Sequence, residues 1–247
     1  MISRLYRGFS TKKVAVVLSG CGVYDGSEIT ESVAVLANLS KNGAEYQCFA
    51  PDKPQFHIVN HLSGEEVQNQ QRNVLQESAR IARGNVLALS SLRPANFDAL
   101  ILPGGFGAAK NLSTFATQGA NMTVDPDLTQ AILGFFQLNK PMGFTCISPI
   151  ICAKILGTKN KKPGIELTLG KRRKDETWPF SGSIEVADSF GNKLVDKDVD
   201  EIMVDSSALI VSTPAYMKST AKPHEVYEGI GKLVKKVLDL TVKNADD

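Results

Sequence analysis

The sequence lacks a long hydrophobic run and has almost no excess of charge of one sign. No stretch reaches the roughly eighteen consecutive apolar residues that a membrane-spanning helix needs, so we expect a soluble protein with no membrane partner. Lys and Arg total 28 against 26 Asp and Glu, which gives a formal net charge of +2. This balance provides no broad basic surface for steering the chain onto nucleic acid, so no DNA or RNA partner is expected.

Cysteine and histidine are also scarce, with four of the first and three of the second in 247 residues. The cysteines have neither the paired spacing of a zinc site nor the density of a secreted disulfide framework. They are Cys21, Cys48, Cys146 and Cys152. A reducing compartment and the absence of a metal site are therefore expected.

Residues 1–9 differ from the rest of the chain, because they carry Arg4 and Arg7 but no acidic residue. A segment that is rich in Arg, contains Ser and lacks acids is typical of mitochondrial targeting. A disordered basic tail is the alternative. We predict a mitochondrial targeting segment at 1–9, a single domain at 10–247 and a location in the mitochondrial matrix.

Apolar runs and helical patterns alternate along the remaining chain, which predicts an α/β domain around one mostly parallel sheet. A continuous β-branched run, typical of a strand buried on both faces, occupies 13–19, and further buried strands are predicted at 99–102 and 142–145. A second strand is predicted at 45–50, after the first helix. Weaker strand candidates lie at 86–89, 165–169, 202–204 and 209–211. Helical patterns occupy about 29–42, 74–82, 126–138, 150–156 and 225–240. The first of these helices has an apolar pattern made by Ile29, Val33, Leu36 and Leu39.

Three of the predicted strands are followed by residues of types that can take part in catalysis or bind a substrate. Active sites of open α/β sheets lie at the carboxyl ends of the strands, so these residues are expected to meet at one edge. The first strand leads into Cys21 and then into the acids Glu28 and Glu31, a later strand ends at Gly104 and Gly105, and another ends at Cys146.

Cys146 occupies the join between a buried strand and a helix. A sharp turn there points the thiol into the cleft beside the helix amino terminus, which favours the thiolate, so we expect a lowered pKa. Backbone amides of Gly104, Gly105 and Ile147 are positioned to bind the oxyanion that forms when the sulfur attacks a carbonyl. The pattern therefore predicts acyl or carbonyl addition by a cysteine nucleophile.

Each of these residues also has an ordinary explanation. Free cysteine is often a compact core residue, and the Gly-Cys-Gly setting of Cys21 is consistent with a tight turn alone. Glu28 and Glu31 begin a helix, where the helix dipole favours acids in any protein. The paired glycines at 104–105 also suit the simple end of a strand.

Several separated motifs nevertheless carry a family resemblance that extends over residues 12–241. They are Leu-Ser-Gly-Cys-Gly-Val-Tyr-Asp-Gly-Ser-Glu at 18–28, Phe-Ala-Pro-Asp-Lys at 49–53, the stretch 103–112, Cys-Ile-Ser-Pro at 146–149 and Thr-Pro-Ala-Tyr-Met at 213–217. The chain resembles the class I glutamine amidotransferase-like, or PfpI-like, superfamily, and within it the ElbB branch and its animal mitochondrial counterparts. The resemblance implies a flavodoxin-like three-layer sandwich with helices on both faces, a nucleophile elbow at Cys146, an acid at Glu31 that contacts the thiol, and a homodimer.

One departure from the family pattern limits the expected activity. Amidotransferases complete their triad with a histidine after the nucleophile, but the only histidine after Cys146 is His224, near the terminal helix. Gly170 and Lys171 stand where the triad histidine is expected. Hydrolysis of glutamine is therefore not expected.

Relatives of this type imply instead a glyoxalase or deglycase that acts on small dicarbonyls such as glyoxal and methylglyoxal, or on their protein adducts. Such an enzyme needs neither a metal nor a soluble cofactor. Cys146 would form a hemithioacetal while Glu31 moves the proton. The alternative is a non-catalytic mitochondrial protein that keeps the fold and uses the Cys146 pocket for redox sensing or metabolite binding.

Overall fold

The computed structural model describes residues 11–157 and 164–243. The predicted targeting segment at 1–9 lies outside these residues, so it stays a prediction together with the domain division based on it. Among the residues described, no helix combines the length and apolar character needed to cross a bilayer.

Strands and helices alternate through most of the chain, as the sequence predicts. The strands are β1 (Lys13–Val17), β2 (Glu45–Ala50), β3 (Val86–Ala88), β4 (Ala99–Leu102), β5 (Met142–Thr145), β6 (Glu166–Leu167), β7 (Lys193–Leu194), β8 (Met203–Asp205) and β9 (Ile210–Thr213). The α-helices are α1 (Ile29–Lys41), α2 (Val74–Ile81), α3 (Phe106–Lys110), α4 (Phe115–Gln118), α5 (Pro126–Gln137), α6 (Pro149–Leu156), α7 (Gly182–Ser189) and α8 (Pro223–Lys243). Single 3₁₀ turns occupy Leu89–Ser91, Pro94–Asn96, Gly119–Asn121 and Ala215–Met217.

In the described part of the chain, seven strands form the main sheet in the order β3-β2-β1-β4-β5-β9-β8. All neighbouring pairs are parallel except β8 with β9. The predicted strand at 165–169 shortens to β6, which pairs with β7 in a separate small sheet. Helices cover the main sheet, and the arrangement confirms the flavodoxin-like α/β fold.

The central strands have no exposed edge or face. Every residue of β4 and β5 is buried, as expected for strands covered by helices on both sides. Gly143 of β5 allows α8 to approach closely, because a Cβ there would lie 2.8 Å from a methyl group of Leu233 and 3.1 Å from one of Val237. The carboxyl ends of β1, β4 and β5 are therefore held side by side, and the loops that follow them meet at one edge of the sheet.

The helix α1 buries a different set of residues from its apolar pattern. Ile29 and Val33 are 49% and 51% exposed, whereas Glu31 and Ala34 on the other side of the helix are fully buried. The helix packs against α8 and the sheet, and its buried residues combine polar, small and aliphatic side chains. A buried carboxylate is tolerated there because hydrogen-bond donors from the ends of two strands face it.

Three short helices near the carboxyl ends of the strands were not predicted from the sequence. The glycine-rich stretch after β4 contains α3, and α4 follows it within a few residues. The helix α7 comes after the Lys- and Arg-rich segment at 171–174, where no helical pattern was recognised. Elements of four to eight residues are too short to establish a clear hydrophobic period.

Candidate active site

Cys146 lies on a sharp turn between β5 and α6 and has a backbone φ of +57°. This left-handed conformation is strained for a residue with a side chain and is typical of a nucleophile elbow. The Cys146 N–H donates to the carbonyl of Thr213 on β9 at 3.0 Å. The Ser148 hydroxyl donates to the carbonyl of Leu102 at 2.9 Å and accepts the N–H of Thr145 at 3.0 Å. These bonds fix the turn between two strands.

Two backbone amides are directed at the sulfur, those of Gly105 and Ile147. The Gly104 N–H is engaged elsewhere, because it donates to Glu31 Oε2 at 2.8 Å and to Thr145 Oγ1 at 3.1 Å. Of the predicted oxyanion donors, Gly105 and Ile147 therefore face the sulfur, whereas the Gly104 amide is bonded to the acid; the oxyanion role stays a prediction.

Glu31 is fully buried behind the cysteine. Its Oε2 accepts the Gly104 N–H and the Thr145 hydroxyl, the latter at 2.9 Å, and its Oε1 accepts the Tyr216 N–H at 3.4 Å. The thiol of Cys146 is hydrogen-bonded to the same carboxylate. The acid and the thiol that the resemblance pairs are thus in contact.

Gly104 allows this contact, because there is no room for a side chain at that position. A Cβ on Gly104 would lie 2.7 Å from Glu31 Oε2 and 3.0 Å from Cys146 Sγ, and would collide with the Cβ of Cys146. The neighbouring Gly105 has a φ of +92° and is also enclosed. A Cβ there would collide with the backbone carbonyl of Gly26 and the backbone nitrogen of Glu28.

Burial and a neighbouring negative charge raise the pKa of each member of the pair. Burial is the main cause that raises the pKa of Glu31 to about 7, and the charge of Glu28 adds to it. Burial followed by the charge of Glu31 raises the pKa of the Cys146 thiol well above its ordinary value. The expected lowering of the thiol pKa is therefore wrong. The amides of Gly105 and Ile147 act in the expected direction, but burial and the adjacent acid outweigh them.

Glu28 stabilises the start of α1 and does not reach the thiol. Its Oε2 accepts the N–H of Glu31 at 2.6 Å, and its own N–H donates to the carbonyl of Gly104 at 3.1 Å. Burial raises the pKa of the Glu28 carboxyl. Glu28 therefore positions both the acid and the glycine turn.

Cys21 lies on the loop after β1 and is not among the residues that line the cavity in front of Cys146. Burial raises the pKa of its thiol, and the charge of Glu77 on α2 adds to the effect. The structure therefore brings Cys21 toward α2 and not into the wall of the Cys146 cavity. Cys48 and Cys152 are buried in the core.

A cavity of about 250 Å³ opens in front of the sulfur. Cys146, Gly105 and Ile147 line it, and Tyr216 contributes from the loop after β9. Three phenylalanines also belong to its wall: Phe106, Phe115 and Phe180. A substrate in this cavity would meet both the nucleophile and aromatic rings.

Several residues of the site were missed. Thr145 could have been identified as a site residue from the sequence, since it is a polar residue at the end of a buried strand and next to the nucleophile. Tyr216 lies in the motif at 213–217, but nothing in that motif indicates a contact with Glu31. Phe180 follows a highly charged segment and reaches the cavity only through the tertiary fold, so no local pattern could have identified it.

No histidine of this chain lines the cavity: His57, His61 and His224 all lie within the described residues and none is in the cavity wall. Lys171, at the position expected for the triad histidine, forms an ion pair with Asp198 at 2.7 Å. Asp198 also pairs with Lys218 at 2.8 Å. Lys171 therefore forms part of an ion-pair cluster and provides no imidazole base.

Within the described residues no group of three or more His, Cys, Asp or Glu side chains is placed to hold a metal ion.

Comparison with known proteins identifies relatives that match nearly the whole chain. The human glutamine amidotransferase-like class 1 domain-containing protein 3, mitochondrial, is 48% identical over 232 residues, which cover 94% of this chain and 84% of the relative. The name of this relative supports a mitochondrial location for this chain. No protein-family model matches the chain.

Solved structures show the same fold. The crystal structure of an isoprenoid biosynthesis protein with an amidotransferase-like domain from Ehrlichia chaffeensis is 33% identical, has a TM-score of 0.82, and covers 93% of this chain and 99% of its own. Drosophila melanogaster DJ-1beta is 14% identical with a TM-score of 0.50, and the match covers 96% of this chain and 98% of that chain. The second likeness concerns the fold alone.

The enclosed position of Gly105 predicts a large loss of stability in Gly105→Ala. Gly84 is the matched control, because it also has a positive φ, +85°, but its Cβ would meet nothing within 4 Å. We expect Gly84→Ala to lower the free energy of unfolding by about 1 to 2 kcal/mol. Gly105→Ala should cost at least about 2 kcal/mol more, because the backbone must move. Urea unfolding measures both, and equal losses would show that the turn at Gly105 is not tightly packed.

The raised pKa of Glu31 predicts a pH dependence of stability. The Glu31 carboxyl has a pKa of about 7 in the folded protein, against an ordinary value of 4.5. Protonation of Glu31 therefore makes its full contribution to the free energy of unfolding below about pH 4.5. This contribution is lost as the pH rises through about 7, and the change amounts to about 3 kcal/mol. Glu31→Gln should remove that part of the pH dependence.

Urea unfolding of the wild type and of Glu31→Gln at pH 5 and pH 8 tests this expectation. Glu45→Gln is the control, because Glu45 is exposed and its substitution should leave the difference between the two pH values unchanged. Equal pH dependence in the wild type and in Glu31→Gln would contradict the raised pKa.

Proposed function

Because the chain belongs to the family of glutamine amidotransferase-like class 1 domain-containing proteins, we propose that it is a cysteine-dependent glyoxalase or deglycase of the mitochondrial matrix. It would act, without a cofactor, on small dicarbonyls such as glyoxal and methylglyoxal or on their protein adducts. The contact between the Cys146 thiol and the buried Glu31 carboxylate is the observation that carries this proposal.

The geometry supports addition of the thiol to an aldehyde. Glu31 accepts the thiol proton while the sulfur lone pair forms a bond to the aldehyde carbon, and the carbonyl electrons move to oxygen. The amides of Gly105 and Ile147 face the sulfur and can donate to this oxygen. Return of the proton completes a hemithioacetal. A carboxyl with a pKa of about 7 can both accept and donate a proton near neutral pH.

The remaining steps need only a proton shift and water. With methylglyoxal, a proton moves from the carbon bonded to sulfur to the neighbouring carbonyl carbon. The proton of the hemithioacetal hydroxyl moves to the oxygen of that carbonyl, which becomes a hydroxyl, and the carbon bonded to sulfur becomes a carbonyl. The product is a thioester of lactate on Cys146. Water hydrolyses this thioester and releases lactate, which restores the thiol. The overall reaction adds one water and needs no external oxidant.

Glutamine hydrolysis has less support, since no histidine lines the cavity and Lys171 is ion-paired with Asp198. The homodimer implied by the resemblance, and the expected lack of membrane and nucleic-acid partners, stay predictions.

A second candidate is a non-catalytic protein that binds a metabolite at the same place. The raised pKa of the Cys146 thiol favours this alternative over redox sensing, because the thiolate is the form that oxidants attack. In such a protein Glu31 and Cys146 would bind a carbonyl compound without converting it.

Turnover of methylglyoxal separates the two candidates. We expect lactate formation by the wild type, its loss in Cys146→Ala, and a decrease of at least about 100-fold in Glu31→Gln because proton transfer is removed. Cys48→Ala is the control, since it removes a buried thiol from β2 and should retain turnover. Absence of turnover by the wild type would favour the binding protein, and full activity of Glu31→Gln would exclude the proposed role of Glu31.

A further inference from the structure

We infer that the Cys146 site prefers α-oxoaldehydes that carry an aromatic or branched aliphatic group over methylglyoxal. This inference rests on the proposed function and specifies its substrate class. It follows from the distribution of polar groups in the cavity, the partners those groups already have, and the volume.

Polar groups of the cavity lining cluster around the sulfur. The amides of Gly105 and Ile147 face the Cys146 thiol, and all three residues line the cavity. Among the described residues that line the cavity, none carries a charged side chain. The rest of the wall is largely apolar, with contributions from Val23, Phe106, Ala109, Phe115, Pro179 and Met217. A substrate that fits this distribution has its carbonyl groups at one end and an apolar group at the other.

Apart from Cys146, the two polar side chains of the cavity lining, those of Ser183 and Tyr216, already have hydrogen-bond partners. The Ser183 hydroxyl donates to the carbonyl of Phe180 at 2.8 Å. The Tyr216 hydroxyl is hydrogen-bonded to the side chain of Thr30. A polar substituent on the substrate would therefore compete with these bonds or remain unpaired, and an unpaired buried polar group is costly.

The cavity is larger than a minimal dicarbonyl. Water occupies about 30 Å³ per molecule in the liquid, so about 250 Å³ holds roughly eight water-sized groups. Methylglyoxal has only five non-hydrogen atoms, and its two carbonyl groups would stay near the sulfur. The outer part of the cavity would then be left unfilled by methylglyoxal and has room for a ring or a branched chain.

The aromatic wall suits a ring in particular. Phe106 and Phe180 pack edge to face, with ring centroids 5.6 Å apart and an interplanar angle of 79°. Phe180 is 42% exposed, so part of its ring is available to an incoming group. Burial of a substrate ring against these side chains is expected to raise kcat/KM by at least about tenfold.

The test compares phenylglyoxal with methylglyoxal as substrates, with mandelate and lactate as the products. We expect the wild type to have a kcat/KM at least about tenfold higher for phenylglyoxal. Ala116→Phe should decrease this preference, because Ala116 lines the outer cavity and is exposed, so a larger side chain there occupies space without disturbing the core. Thr117→Phe is the matched control, since this neighbouring exposed residue does not line the cavity.

The outcomes distinguish this inference from the proposed function. Equal turnover of both substrates, or faster turnover of methylglyoxal, would overturn the inference and leave the proposed function in place. If neither compound is converted, the proposed function fails. The preference of the cavity can then be tested by measuring how well acetophenone and acetone each protect Cys146 from alkylation by iodoacetamide. Stronger protection by acetophenone that Ala116→Phe abolishes would support the apolar preference, and equal protection by the two ketones would overturn it.

Discussion

The contact between the Glu31 carboxylate and the Cys146 thiol is the interaction on which the rest of the site depends. It requires a carboxylate with no exposure to solvent, and three donors from separate elements satisfy its oxygens: the Gly104 amide, the Thr145 hydroxyl and the Tyr216 amide. A buried charge without such donors would be too costly. The helix α1 and the loops after β4, β5 and β9 therefore have to meet at one point, and the parallel sheet brings them there.

The same contact determines the state of the thiol. An isolated cysteine on an elbow beside two amides would have a lowered pKa, but burial and the acid next to Cys146 raise it. In the proposed reaction the thiol transfers its proton to Glu31 during the attack, because little thiolate is present beforehand. The thiol would then stay uncharged until a carbonyl compound enters the apolar cavity, and Glu31 would take the place of a histidine base.

Much of the fold could be predicted from the sequence, because β1, β4 and β5 lie in apolar runs between helical patterns and β2 follows the end of the first helix. The position of the elbow followed from the join of strand and helix at Cys146, whereas Glu31 was identified only through the family resemblance. The apolar pattern of α1 gave no sign that an acid is buried there, since a hydrophobic pattern gives no reason to bury one. The thiol pKa was predicted in the wrong direction because it depends on that acid. The cavity wall could not be predicted, as it combines residues from segments distant in the sequence.

Titration of the glutamate carboxyl groups by ¹³C NMR, with Glu31→Gln to assign the resonance, tests the central claim most directly. The account predicts that the Glu31 carboxyl titrates with a pKa of about 7 and that its resonance shifts when Cys146 is replaced by Ala. A pKa near the ordinary value of 4.5, unaffected by that replacement, would show that the acid is neither desolvated nor coupled to the thiol, and would contradict the account.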